Sequence, residues 1–188
     1  MKEFLIKGDR VVLRPFKRTD AHALFSHASS PEVRKYLPFM SDIANVESAH
    51  AWINSSRRLF RQNKGIYLGI EKIDTRELIG SMNLKNINLA DRNAEVEYWL
   101  EKRFRHKGFA SESLLLLLDQ AFTELDLVRV YAIVHARNTS SIRLLERFGF
   151  LREGTWRKAS FMNNVWSDVY GYGLLKEEFQ ISSYNHAR

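Results

Sequence analysis

The sequence of 188 residues contains no cysteine. Disulfide bonds, thiolate metal ligands and a cysteine nucleophile are therefore excluded. Among the six histidines, His22 and His27 lie five residues apart, a spacing that does not place two metal ligands on one helical face. The G-x-S-x-G motif of serine hydrolases and the G-x-x-x-x-G-K-[ST] motif of phosphate-binding loops are also absent. We therefore expect no metal site and no chemistry built on either motif.

Long apolar runs are lacking as well. The longest run, residues 114–118, has five leucines, whereas a membrane-spanning helix needs about 20 apolar residues. The opening residues "MKEFLIKGDR" lack the continuous apolar stretch of a signal peptide. The length suits one domain that is large enough to bury a core. We expect a soluble, cytoplasmic protein with a single domain spanning residues 1–188, as a monomer or homodimer.

Basic residues are in excess. Lys and Arg number 29 against 22 Asp and Glu, which gives a net charge of +7. This excess favours an anionic partner, but a nucleotide cofactor, a nucleic acid and an acidic protein surface all satisfy it.

Hydrophobic periodicity predicts a chain of mixed α/β class. Helices are predicted from Thr19 and Ser30, each as an N-cap, and over residues 46–62, 111–125 and 139–148. Strands are predicted over residues 10–15, 65–72, 77–85, 94–101 and 129–136. Turn residues between the three middle strands predict an antiparallel meander, and Asn163-Asn164 predicts the turn of a final hairpin.

The stretch "KRFRHKGFASES" connects a predicted strand to a predicted helix. The first N–H groups of a helix have no partner within the helix and attract anions, provided that the backbone can be approached closely. Gly108 and Ala110 permit this approach, Arg105 and Lys107 add positive charge, and Ser111 can cap the helix or bond a phosphate oxygen. The stretch therefore predicts a phosphate site. The alternative is a solvated cluster of charges that happens to precede a helix.

A second motif, "NTSSIRLLERFGF", places Asn138 after a strand and Ser141 three residues later. Together with Arg105-x-x-Gly108-x-Ala110, it resembles the acyl-CoA signature of the GNAT N-acetyltransferases. The stretches "AEVEYWLEKRFRHKGFASES" and "DVYGYGLLKEEF" are similar to the RimJ/RimL-type branch, whose members acetylate N-terminal amines of ribosomal proteins. The resemblance covers nearly the whole chain and implies the GNAT fold, a mixed, twisted β-sheet flanked by helices and splayed between the strands that end at Leu100 and Ala136.

The resemblance also implies acetyl-CoA as the cofactor and assigns the residues that would bind it. Leu100 would pair with the pantetheine through its main chain, and Asn138 would bond a pantetheine amide. The surplus charge of Lys102, Arg103 and Lys107 would steer the anionic cofactor or bind its 3′-phosphate. The diphosphate would be held by the backbone amides of Arg105, His106, Lys107, Gly108, Phe109 and Ala110.

Acetyl transfer to an amine requires that the amine lose a proton and that the departing thiolate gain one. Glu95 and Glu97 are candidate bases because residues two apart on a strand share a face, although both would also suit a solvent-exposed face. Glu95 matches an acidic position of the family, whereas Glu97 stands where the branch often has glycine. Leu145 stands where many family members have a tyrosine that donates a proton, and the RimJ/RimL-type branch generally lacks this tyrosine too. The resemblance to that branch implies Ser141 as the proton donor; bonding to its own helix backbone is the alternative.

The predicted activity is N-acetyl transfer by direct attack in a ternary complex. The predicted acceptor is a protein N-terminal amine, for example on a ribosomal protein, and the alternative acceptor is a small amine such as a polyamine, an aminoglycoside or an amino-acid derivative. Two alternatives of another class remain, a basic nucleic-acid-binding protein and an acyl-CoA sensor without catalysis. Nucleic acid is the weaker of these, since the basic cluster lacks the aromatic platform that stacks on bases.

Overall fold

The computed structural model describes residues 4–162 and 164–179, with the side chains of Pro38 and Met162 excepted. The strands are β1 (Ile6–Lys7), β2 (Val11–Pro15), β3 (Gly65–Lys72), β4 (Leu78–Asn88), β5 (Asn93–Leu100), β6 (Arg129–His135), β7 (Leu151–Met162) and β8 (Val165–Leu175). The helices are α1 (Ala21–Ala28), α2 (Pro31–Arg34), α3 (Val46–Arg61), α4 (Phe109–Thr123) and α5 (Thr139–Arg147). In these described ranges, no helix has both the length and the apolar character needed to cross a membrane.

The strands form one mixed sheet in the order β1-β2-β3-β4-β5-β6-β8-β7. Pairing is antiparallel from β1 to β4 and again among β6, β8 and β7, whereas β5 and β6 are parallel. The parallel ladder joins Asn93–Glu95 to Arg129–Tyr131, and both strands continue beyond it. The predicted mixed sheet flanked by helices is confirmed. The chain divides into two compact units, and one domain over residues 1–188 stays a prediction.

The first unit contains residues 4–86 and 97–117. Its core joins α1 and α3 to the sheet through buried apolar side chains such as Leu24, Ile53 and Leu78. Helix α3 begins at the predicted residue because Asn45 forms a capping box with Ser48, in which the Ser48 N–H donates to Asn45 Oδ1 at 2.8 Å. Apolar residues at helical spacing then turn one face of α3 to the core.

A buried ionic network lies beside this core. Arg14 donates to both carboxylate oxygens of Asp20, at 2.7 and 3.0 Å, and to Glu71 at 2.5 Å, and all three side chains are buried. Burial is the largest single influence on Glu71 and disfavours its charged form, but the hydrogen bond and charge of Arg14, together with Lys17 and Arg76, outweigh burial and lower the pKa of the carboxyl. The network also explains why the predicted N-cap at Thr19 is wrong. Thr19 lies in a 3₁₀ turn, Arg18–Asp20, and Asp20 occupies the N-cap position of α1.

The second unit contains residues 87–96 and the described residues from 118 onward. Helix α5 ends in a Schellman motif, in which Gly149 has φ +83° and the Phe150 N–H donates to the Leu145 carbonyl at 3.1 Å. The predicted final hairpin is formed by β7 and β8. Asn164 has the predicted positive φ, +59°, whereas Asn163 lies outside the described residues.

Candidate active site

The turn before α4 carries the predicted phosphate site. Helix α4 begins at Phe109, two residues earlier than predicted, so Ser111 lies inside the first helical turn and does not cap the helix. Gly108 immediately precedes the helix, and its carbonyl accepts the N–H of Glu112 at 3.0 Å. The first N–H groups of α4 therefore start at Phe109, directly after the glycine, and have no carbonyl partner within the helix.

The backbone of this turn adopts a conformation that favours glycine. His106 has φ +60° and Gly108 has φ +83°, and both residues are exposed. Phe109 is buried and packs edge-to-face against Phe104 with ring centroids 6.1 Å apart, so its side chain anchors the turn. Phe109 therefore offers a ligand its N–H group rather than its ring. An exposed turn that is anchored by Phe109 and leads into the first N–H groups of a helix suits an anion.

The basic residues around the turn are partly neutralised. Arg105 donates from Nε to the Leu100 carbonyl at 3.0 Å, so this carbonyl already accepts one hydrogen bond from the protein. Lys102 and Arg103 are exposed, and both form ion pairs with glutamates. Lys107 lies with Nζ 5.9 Å from the centroid of the Phe104 ring. The surplus positive charge at this site is therefore smaller than the sequence suggests.

Two residues that were not predicted from the sequence, Arg10 and Glu112, form hydrogen bonds at this turn. Arg10 reaches the turn from the residue before β2: Nη1 donates to the Lys107 carbonyl at 2.9 Å, and Nε donates to Glu112 at 2.8 Å. A β-carbon built on Gly108 would lie 2.9 Å from Arg10 Nη2, so the guanidinium covers the glycine. Arg10 and Glu112 are 102 residues apart, and no local pattern in the sequence could have connected them.

Asn138 and Ser141 lie together at the start of α5. Asn138 is the N-cap, and its Oδ1 accepts the backbone N–H of Ser141 at 3.2 Å. The side-chain oxygen of Asn138 is therefore used by the helix, which leaves its amide N–H groups to bond a ligand carbonyl. Ser141 is half-buried in the first turn, and Leu145 is fully buried one turn later. Leu145 has no group that can donate a proton.

The two candidate bases have different surroundings on β5. Glu95 is buried, and its partner in the parallel ladder is Tyr131. Glu97 forms an ion pair with Lys85, with Nζ 2.7 Å from Oε2, and its side chain is 13% exposed. Neither glutamate faces open solvent, so the solvent-exposed alternative does not apply to them. His135, at the end of β6, has a pKa that burial lowers, which favours its neutral form.

The chain belongs to the GNAT acetyltransferase family, since the model of the acetyltransferase (GNAT) domain matches residues 10–151. YdaF of Bacillus subtilis, whose name assigns it provisionally as a ribosomal N-acetyltransferase, is 35% identical over 92% of this chain and 95% of its own length. A spermidine N(1)-acetyltransferase of Vibrio cholerae is 25% identical over 92% of this chain and 96% of its own length.

Solved structures agree with this assignment. The crystal structure of a probable acetyltransferase has a TM-score of 0.86 and 29% identity, and it covers 94% of this chain and 99% of that chain. The RimL acetyltransferase of ribosomal protein L7/L12 in complex with coenzyme A has a TM-score of 0.85 over 91% of this chain and 97% of that chain. Its identity of 20% shows the fold alone. The protein is thus a GNAT N-acetyltransferase, an enzyme of a family that uses acetyl-CoA.

Proposed function

We propose that this enzyme transfers the acetyl group of acetyl-CoA to the α-amine of a protein N-terminus. The observation that supports binding of acetyl-CoA is the turn before α4, where Gly108 at φ +83° leads directly into a helix whose first N–H groups have no carbonyl partner within the helix. The backbone from Arg105 through Ala110 would hold the diphosphate, and Ser111 would bond a phosphate oxygen from the first turn. Leu100 would contact the pantetheine through its main chain.

Asn138 would orient the pantetheine. Because its Oδ1 accepts the Ser141 N–H, the contact to a pantetheine carbonyl would come from the amide N–H. Asn138 would thus act as a donor to the cofactor and, in the same position, as the cap of α5.

The transfer itself needs no covalent enzyme intermediate. The acceptor nitrogen attacks the thioester carbonyl carbon, a C–N bond forms, the C–S bond breaks, and the acceptor proton passes to a base. Glu95 and Glu97 remain the proposed bases, and Ser141 the proposed donor to the thiolate. A serine hydroxyl would act by hydrogen-bonding the charge that develops on sulfur.

Charge favours a peptide acceptor over a polyamine. A protein of net charge +7 repels a polycation over long range, whereas it attracts a peptide that carries acidic residues. The relatives include both a ribosomal and a spermidine acetyltransferase, so the spermidine reaction is the second candidate. A ribosomal protein is the specific acceptor that we propose, in the cytoplasm.

A panel of acceptors tests this proposal by thiol release from acetyl-CoA. The panel contains an acidic peptide with a free N-terminus, the same peptide with a formylated N-terminus and one lysine, and spermidine. We expect release with the free peptide at least tenfold above release with the other two. Faster release with spermidine would favour the second candidate.

Measurements of acetyl-CoA binding and of RNA binding, added to this panel, address the two remaining classes. Tight binding of acetyl-CoA without thiol release for any acceptor would identify a sensor, an outcome that the buried Leu145 makes worth testing. Binding of RNA that acetyl-CoA does not displace would favour a separate nucleic-acid function.

A further inference from the structure

Arg10 makes three contacts at the start of α4. Its Nη1 donates to the Lys107 carbonyl at 2.9 Å, its Nε donates to Glu112 Oε2 at 2.8 Å, and its backbone N–H donates to Glu112 Oε1 at 2.7 Å. The guanidinium also lies over the Phe109 ring, 5.0 Å from its centroid. A single residue thus connects the segment before β2 to both the turn and the first turn of the helix.

Glu112 poses an electrostatic difficulty for an anion site. A carboxylate in the first turn of a helix interacts well with the helix dipole, but it repels a second anion at the same N-terminus. The Glu112 side chain is only 8% exposed, so solvent screens it poorly. Both of its oxygens accept bonds from Arg10, and Oε1 also accepts the Val11 N–H at 3.3 Å. These contacts direct the negative charge toward β2 and compensate it.

The Lys107 carbonyl poses a second difficulty, because a carbonyl oxygen turned toward a phosphate would repel it. Arg10 Nη1 donates to this oxygen, and Nη2 lies 2.9 Å from where a β-carbon on Gly108 would be. The orientation of the Lys107–Gly108 peptide group is therefore fixed by the same guanidinium that compensates Glu112.

We infer that Arg10 is a positioning residue for acetyl-CoA: it compensates Glu112 and fixes the Lys107–Gly108 peptide group, so that the backbone N–H groups at the start of α4 can donate hydrogen bonds to the diphosphate. This inference rests on the proposed diphosphate site and goes beyond it, since Arg10 acts through the turn. The alternative is an ordinary surface ion pair, which would contribute little to stability or binding. The Arg10 side chain is 49% exposed, so this alternative needs an explicit test.

The test compares coenzyme A with pantetheine, which has the same thiol arm but lacks the diphosphate and the adenosine 3′-phosphate attached to it. Calorimetric titration gives the dissociation constant of coenzyme A, and displacement of coenzyme A gives that of pantetheine. We expect Arg10→Gln to weaken coenzyme A at least tenfold and to change pantetheine less than twofold. Arg10→Lys, which keeps the charge but not the forked donors, should lie between wild type and Arg10→Gln.

The double variant Arg10→Gln/Glu112→Gln provides the rescue. Because it removes the uncompensated carboxylate, it should bind coenzyme A at least threefold more tightly than Arg10→Gln alone. Arg92→Gln is the matched control: Arg92 is 44% exposed, pairs with Asp126 and donates to the Asp126 carbonyl at 2.7 Å, and its replacement removes the same charge. The control should leave both dissociation constants within twofold of wild type.

The outcomes separate this inference from the proposed function. If wild type binds coenzyme A no more tightly than pantetheine, the diphosphate site itself is refuted. If wild type prefers coenzyme A and Arg10→Gln keeps that preference, or loses no more affinity than Arg92→Gln, the role of Arg10 alone is refuted. Thermal unfolding shows that each variant is folded, and Arg10→Lys carries the test if Arg10→Gln fails to fold.

Discussion

Gly108 and Gly149 offer a test in which backbone strain is the same and only the location differs. Both glycines have φ +83°, one before α4 and the other after α5. A left-handed conformation costs an L-residue about 1–2 kcal/mol. Replacing glycine by alanine offsets about 0.4–1 kcal/mol of this cost, because alanine lowers the conformational entropy of the unfolded chain. We therefore expect Gly108→Ala and Gly149→Ala each to lower the free energy of unfolding by about 1 kcal/mol.

Coenzyme A affinity should distinguish the two variants. The new β-carbon at position 108 would lie 2.9 Å from Arg10 Nη2, closer than real β-carbons approach other atoms, so the guanidinium must move. Its bond to the Lys107 carbonyl would then change, and with it the turn. We expect Gly108→Ala to weaken coenzyme A at least tenfold, equivalent to about 1.4 kcal/mol, and Gly149→Ala to leave it within twofold.

Calorimetric titration and urea unfolding, run on the same preparations, supply both quantities. Gly154→Ala serves as the strain-free control, since a β-carbon there would meet no atom within 4 Å. Equal coenzyme A affinity in the Gly108 and Gly149 variants would refute the assignment of the turn as the diphosphate site. A large loss of stability in Gly154→Ala would refute the strain argument.

Three further predictions follow from side-chain contacts. Asn138→Asp should keep the α5 cap but remove the amide donor, so the Michaelis constant for acetyl-CoA should rise while thermal stability is unchanged. Asn138→Ala should raise the same constant and also lower the free energy of unfolding by about 1 kcal/mol, because the cap is lost. Equal kinetics for Asn138→Asp and wild type would exclude the contact. Glu71→Gln should destabilise the protein by about 3 kcal/mol at pH 7, because it leaves Arg14 with one buried partner. Since the Glu71 pKa is lowered on folding, its contribution is present above the ordinary carboxyl pKa and lost at lower pH, so unfolding curves of wild type and Glu71→Gln should converge below about pH 4. Burial, with a hydrogen bond to Glu146, raises the pKa of Tyr172 to about 12, so about 2–3 kcal/mol of stability should be lost between pH 10 and 12; Tyr172→Phe should flatten this decline, and an unchanged curve would contradict it.

Much of the fold follows from local patterns in the sequence. Alternation and turn residues predict β3, β4 and β5, and α3 begins at the predicted Val46. The predicted N-cap at Thr19 is wrong because a tertiary interaction determines where that helix begins. Arg14 donates two hydrogen bonds to Asp20 and thereby fixes the preceding turn. The strand β1 was not predicted, since two residues are too few to show alternation.

The candidate site was predictable where its residues are close in sequence. The turn before α4 and the Asn138–Ser141 pair each lie within one short segment, and local motifs locate them. The start of α4 was misplaced by two residues, because burial of Phe109 extends the helix to the glycine. Arg10 was missed because its contact with Glu112 spans 102 residues, and such a pair is determined by packing alone.

The structure also separates two carboxylates that the sequence leaves equivalent. The ammonium group of Lys85, with Nζ 2.7 Å from Glu97 Oε2, already occupies the carboxylate oxygen that would have to receive the amine proton. The same ammonium would repel a protonated amine as it approaches this carboxylate. Glu95 is buried in the parallel ladder and matches the acidic position of the family. As a proposed base Glu95 is therefore favoured over Glu97, and the ion pair with Lys85 gives Glu97 a role in joining β4 to β5.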